Sequence, residues 1–183
     1  MDKQTLEIVL RIFSSLILIS DILIGVALVL FSIYKTQKRK SGFLFGLFHF
    51  LSENVLSFTF LVALSATLGS YFLSEIAKYP PCALCWYQRI FMFPQPIILG
   101  IGLLKNQSQA KLYSGVLALV GFSIAIYHII VQSSLLPAPC SVDSVNCATK
   151  QFVYFGYVTI PVMSATAFAG IILLLFFDWK KKN

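Results

Sequence analysis

Four cysteines in two close pairs are the residues of this chain whose type and spacing could do chemistry. Cys82 and Cys85 form a Cys-x-x-Cys, and Cys140 and Cys147 are separated by six residues. Such spacings suit a metal site or a redox pair, and the compartment decides between them. The first pair lies in the run Pro80-Pro81-Cys82-Ala83-Leu84-Cys85-Trp86-Tyr87-Gln88-Arg89. A helix that begins near Cys85 favours a thiolate there through its N-terminal dipole. Arg89, four residues on, falls on the same helix face one turn deeper. It is suited to stabilise that thiolate and a negative oxygen developing on an electron acceptor. The alternative for Arg89 is a side chain that snorkels to the lipid headgroups.

The elements that must position these residues are membrane helices. Of the 183 residues, 58% are hydrophobic and 11% are charged, whereas soluble domains carry about a quarter charged residues. This length holds about five spans of roughly 20 residues with short loops. The first apolar run, about Leu6 to Tyr34, is followed directly by Lys35, Lys38, Arg39 and Lys40. It is too long for a secretory signal, and basic residues stand where a cleavage site needs small ones, so it reads as a retained span. The stretch from Gly42 to about Ser74 reads as an interfacial or tilted segment to Leu51 and then a span, with Ser52 placed to cap the new helix. His49 and Glu53 are i, i+4 partners. Pro80 and Pro81 end the preceding helix and keep the approach to Cys82 extended. A third span runs from about Cys85 to Leu104 with Pro94 and Pro96 inside it, tolerable where bundle neighbours satisfy the freed carbonyls. The fourth is about Leu112 to Ser133. A Pro- and Ser-rich loop then carries Cys140 and Cys147, with aromatic residues from Phe152 to Tyr157 suited to a membrane interface. The last span is about Val158 to Phe177.

Alternate sides of these spans differ in charge. One holds Lys35, Lys38, Arg39, Lys40, Lys105, Lys111, Lys180, Lys181 and Lys182; the other holds Lys3, Arg11, Lys78, Arg89 and Lys150. The richer side is cytoplasmic by the positive-inside rule, which puts the N-terminus and both cysteine pairs outside and the C-terminus in the cytoplasm. The +7 net charge is spent on these short clusters rather than on a basic face, so nucleic acid binding is not expected. Outside a bacterial cell thiols are oxidised. A structural zinc site of four cysteines is one alternative, and two inert disulfides are another. The second suits Cys140 and Cys147 better than Cys82 and Cys85, whose small, strained ring is of the labile kind.

The Cys-x-x-Cys-Trp-Tyr-Gln-Arg string, Tyr127-His128, the Cys140–Cys147 loop and Thr159-Ile-Pro-Val-Met-Ser-Ala-Thr-Ala-Phe168 resemble the DsbB family of disulfide bond formation proteins, especially its BdbC-type members. The resemblance covers about residues 55–178. It implies an all-α integral membrane protein, a four-helix transmembrane bundle (51–183) with both pairs extracytoplasmic, here preceded by one additional N-terminal transmembrane helix and a basic loop (1–50). It further implies a thiol:quinone oxidoreductase of the bacterial plasma membrane. Such an enzyme takes electrons from a secreted thioredoxin-fold oxidase of DsbA or BdbD type and passes them to ubiquinone or menaquinone. By position, Cys82 and Cys85 resemble the quinone-proximal pair, Cys85 nearer the quinone, and Arg89 the quinone-site arginine. Cys140 and Cys147 resemble the pair that exchanges with the partner, through Cys140. His128 matches a histidine with a proton or quinone role; the alternative is a buried imidazole bonded within the bundle, for instance to Gln132. No metal is implied.

The first span departs from the family. Asp21 near its middle costs about 2.5–3.5 kcal/mol unless paired, so a hydrogen bond to a neighbouring helix or another subunit is expected. A vitamin K epoxide reductase-like enzyme also joins loop cysteines to a Cys-x-x-Cys, but there the loop pair comes first. A membrane scaffold with structural disulfides is the non-enzymatic alternative.

Overall fold

The computed structural model describes residues 2–36, 43–105, 107–133 and 145–182. Cys140 and the basic residues Lys38, Arg39 and Lys40 lie outside the described residues. Seven α-helices follow in order: α1 (Lys3–Thr36), α2 (Phe43–Glu53), α3 (Val55–Tyr71), α4 (Ala83–Met92), α5 (Pro94–Lys105), α6 (Gln109–Gln132) and α7 (Ile160–Lys182). Lys3–Ser32, Val55–Ile76, Gln109–Gln132 and Ile160–Phe177 are each long and apolar enough to cross a bilayer. Helices α4 and α5, of 10 and 12 residues, abut at Phe93 and together reach a fifth membrane length, about 34 Å at 1.5 Å per residue. The chain is thus an all-α, multi-pass membrane protein, as its composition predicts.

The breaks fall where backbone chemistry dictates. Pro94 takes the first position of α5, where a missing N–H costs nothing, so the expected third span is two helices end to end. The Gln95 amide donates to the Phe91 carbonyl at 2.9 Å and accepts from Ser114 on α6 at 2.7 Å. The buried Gln95 side chain is thereby paired at both its nitrogen and its oxygen, as a bilayer requires of polar groups. Ser52 does not cap a helix: it is buried within α2. The chain turns instead at Asn54, whose side-chain amide donates to the Phe50 carbonyl at 3.0 Å. His49 and Glu53 do pair, at 3.3 Å. Pro80 and Pro81 are also not what ends α3. It finishes four residues earlier in a π-helical turn, Phe72–Ile76, and Lys78 at φ 59° then reverses the chain.

α6 packs most extensively against α7, α3 against α5 and α7, and α4 against α6. On α6 the buried positions Ala110, Ser114, Ala118, Gly121 and Ala125 recur every three or four residues, a small-residue stripe that lets helices approach closely. Phe168 of α7 lies over Gly121, where any Cβ would occupy the space of the ring. Ala63, Met92, Leu99 and Ile171 complete this core.

α1 stands at the side of the bundle, mainly against α7. Asp21 is paired there: its carboxylate accepts from Thr166 of α7 at 2.6 Å and from Tyr157 at 2.9 Å. Before α7 the chain makes a tight turn through Phe155 and Gly156, both at positive φ, closed by reciprocal backbone bonds between Tyr154 and Val158 at 3.0 and 2.9 Å.

Candidate functional site

The first cysteine pair is built by the start of α4. Cys82 is its N-cap residue, with extended backbone at φ −78° and ψ 175°, and Cys85 follows one turn on. Both are free thiols, their sulfurs 3.4 Å apart. Cys82 is buried with Leu84, Val131 and Cys147 in one apolar cluster, and Cys147 is disulfide-bonded. Gln151 donates to the Pro80 carbonyl at 2.8 Å, and Tyr79 stacks on Phe152 at 5.4 Å. These contacts tie the approach to Cys82 to the segment that carries Cys147.

His128, buried near the end of α6, stands between Cys82 and Cys147. Its Nδ1 lies 3.1 Å from the Gln88 amide nitrogen, while Nε2 lies 3.7 Å from Cys82 Sγ and 3.1 Å from the Cys147 carbonyl oxygen. With Gln88 donating to Nδ1, the ring proton sits on Nε2, which then donates toward the sulfur and the carbonyl. Gln132 is not its partner, since it donates to Thr149 at 3.4 Å. The Cys82 thiol is drawn down to about 4, first by the hydrogen bond from Cys85 and then by that from His128, against the opposing effect of burial. The hydrogen bonds from Cys85 and His128 thus favour the thiolate form of Cys82.

Arg89 is fixed on the other side. Its Nε donates to Ser70 Oγ at 3.0 Å and its Nη2 to the Ser70 carbonyl at 2.9 Å. Its guanidinium lies 5.2 Å from the Trp86 ring centre and 5.7 Å from that of Phe93. These contacts hold it at the bundle wall, which snorkelling to the headgroups would not require. Beside it opens a cavity of about 670 Å³, lined by Cys85, Gln88, Arg89, Met92 and Gln151 and by residues of α1, α3 and α7. His128 is not among the lining residues; it borders a much smaller pocket with Cys82, Cys85 and Cys147.

The site therefore has two sides that meet at Cys85, a small pocket with Cys82, His128 and Cys147 and a larger cavity beside Arg89. Among the described residues, Cys82, Cys85 and His128 also place three ligand atoms within 4.8 Å of one another, whereas a closed tetrahedral zinc site takes four. Ser70 and Gln151 belong to no sequence motif, and Gln88, though inside the Cys-x-x-Cys-Trp-Tyr-Gln-Arg string, takes its role from His128, 40 residues away. Gln151 Oε1 is buried without a hydrogen-bond partner on the wall of the cavity.

Comparison with known proteins identifies the family. The family model for disulfide bond formation protein DsbB matches residues 52–177. The chain is 42% identical over 126 residues to an SPbeta prophage-derived disulfide bond formation protein B of Bacillus subtilis, covering 67% of this chain and 85% of that protein. It is 42% identical over 123 residues to a probable disulfide formation protein C of Halalkalibacterium halodurans, covering 66% and 90%. To a probable disulfide formation protein of Chlamydia caviae it is 40% identical over 136 residues, covering 73% and 98%. No solved structure matches it. With its two cysteine pairs and helical membrane fold, the chain belongs to the DsbB family of disulfide bond formation proteins.

Proposed function

We propose that this protein is a thiol:quinone oxidoreductase of the bacterial plasma membrane, with its N-terminus and both cysteine pairs outside and its C-terminus in the cytoplasm. It re-oxidises a secreted thioredoxin-fold oxidase of DsbA or BdbD type. The observation that carries this reading is the two-sided site. Cys82 is packed with Cys147, and Cys85, which borders the same cluster, also opens onto a mostly apolar cavity beside a fixed cation.

The relay balances as two-electron disulfide exchange. A thiolate of the reduced partner attacks Cys140 of a Cys140–Cys147 disulfide, and Cys147 leaves as a thiolate. The partner's second thiol then resolves the mixed disulfide, so the partner departs oxidised and the loop pair holds two electrons. Cys147 next attacks Cys82, with which it shares a buried cluster, and Cys85 leaves as a thiolate on the Arg89 side. Cys140 attacks Cys147 in turn, re-forming the loop disulfide and expelling Cys82 as the thiolate that His128 Nε2 faces at 3.7 Å. Exchange needs both access and a stabilised leaving sulfur, and the two sides of the site stabilise one leaving sulfur each.

The cavity suits a membrane quinone. Its volume lies within the roughly 300–1,000 Å³ of ligand pockets, its walls are mostly apolar, and Gln88 and Arg89 stand beside Cys85 in them. Both carry the N–H donors that a quinone carbonyl needs. A quinone bound there would accept two electrons and two protons. A DsbA-type partner sits at about −120 mV, and a quinone meets the need for an acceptor at least as oxidising.

The test is quinone reduction by the purified protein supplied with a reduced thioredoxin-fold protein, comparing wild type with Cys85→Ser. Loss of quinone reduction in the variant is expected. Equal, slow rates in both would make the cysteines structural and favour the scaffold reading.

A further inference from the structure

α1 lies wholly outside the stretch that matches the family, residues 52–177, yet it forms one wall of the cavity that begins at Cys85. Phe13, Leu16, Ser20, Ile24 and Ala27 all line it. Their spacing of three or four residues is one face of a helix, and from Phe13 to Ala27 it extends about 21 Å. Pro81 and Cys85 line one end of the cavity, and Leu51 and Phe177 line the other. It therefore runs along the bundle rather than forming a patch on it.

Three attachments hold α1 in this position. The Phe13 and Phe72 rings meet edge to face at 5.4 Å. Asp21 accepts hydrogen bonds from Thr166 and Tyr157. Phe31 lies 4.9 Å from Phe177. Between them the cavity separates α1 from α3, and at Gly69 on α3 an added Cβ would meet nothing within 4 Å. A long, mostly apolar slot of this kind, continuous with a redox sulfur and a fixed cation at Arg89, matches an acceptor with a polar ring and an apolar tail.

We propose that α1 is a binding element for the isoprenoid tail of the quinone acceptor. The ring sits by Cys85 and Arg89 and the tail runs along the Leu16–Ala27 stripe, so the added helix sets affinity for tailed over tailless quinones. This rests on the acceptor reading given above.

The test measures equilibrium binding of two probes to the full-length protein: a benzoquinone with a multi-isoprene tail, and the same ring without the tail. Ala27→Phe, which fills the slot from α1, should raise the dissociation constant of the tailed quinone about tenfold, the scale on which a pocket senses a few carbons. It should leave that of the tailless ring within about twofold. Val29→Phe, at a position 60% exposed on α1 and off the cavity wall, should change neither. A quinone with a photoreactive group on its tail should label the α1 peptide of the unaltered protein. An unchanged tailed-quinone affinity in Ala27→Phe, or labelling confined to α3 and α7, would overturn the inference while leaving the acceptor reading intact. If Ala27→Phe binds neither quinone, the labelling of unaltered protein decides. If the unaltered protein binds neither, the acceptor reading and this inference fall together.

Discussion

Cys82 and Cys85 share one turn of helix but face different chemistry. His128 and the Cys85 thiol act on Cys82 together. A folded-state value of about 4, against about 8.5 for a free cysteine, means that the proton leaves at lower pH than usual. The stabilisation this gives the folded, reduced protein is complete above about 8.5 and is lost as pH falls through about 4. Thiolate absorbance near 240 nm in reduced protein should therefore persist well below pH 7. His128→Ala should move its midpoint upward, and a rise only above about pH 8 in wild type would contradict the assignment. Arg89 is held by two donated bonds to Ser70. Arg89→Gln should weaken quinone affinity about tenfold to a hundredfold, the range of a hydrogen bond to a charged group. Exchange among the thiols should survive, and unchanged quinone dependence would remove Arg89 from that role. Both cysteine pairs and Arg89 were legible in the sequence because motif spacing and charge mark them. The position of the thiolate was not, since it depends on His128, 46 residues from Cys82.

At the scale of elements, the apolar runs give the spans to within a few residues, because hydropathy over a membrane length is a strong signal. The helix ends are less legible. Pro94 splits the third span, and Asn54 rather than Ser52 marks the turn between α2 and α3, outcomes fixed by local bonds to Phe91 and Phe50. Asp21 reads from the sequence as a residue in need of partners, but Thr166 and Tyr157 lie some 140 residues away and no local pattern names them. The small-residue stripe of α6 sets how closely α7 can approach. Gly121→Ala should force the Phe168 ring aside and destabilise the bundle by about 1–3 kcal/mol, the usual cost of overpacking. The check is thermal unfolding of the purified protein in detergent, where a midpoint equal to wild type would show that α7 relaxes freely.

At the scale of the whole molecule, the start of α4 joins a small pocket with Cys82, His128 and Cys147 to a mostly apolar cavity beside Arg89, and the proposed passage of electrons from thiols to a lipid-soluble acceptor rests on that junction. The most direct measurement is a single turnover of fully oxidised protein with one equivalent of reduced thioredoxin-fold partner and no quinone, followed by timed alkylation and mass mapping of all four cysteines. Free thiols should appear first at Cys140 and Cys147, pass to Cys82 and Cys85, and disappear when quinone is added. In Cys82→Ser they should remain in the loop. Thiols that stay on Cys140 and Cys147 in the unaltered protein, with or without quinone, would contradict the relay.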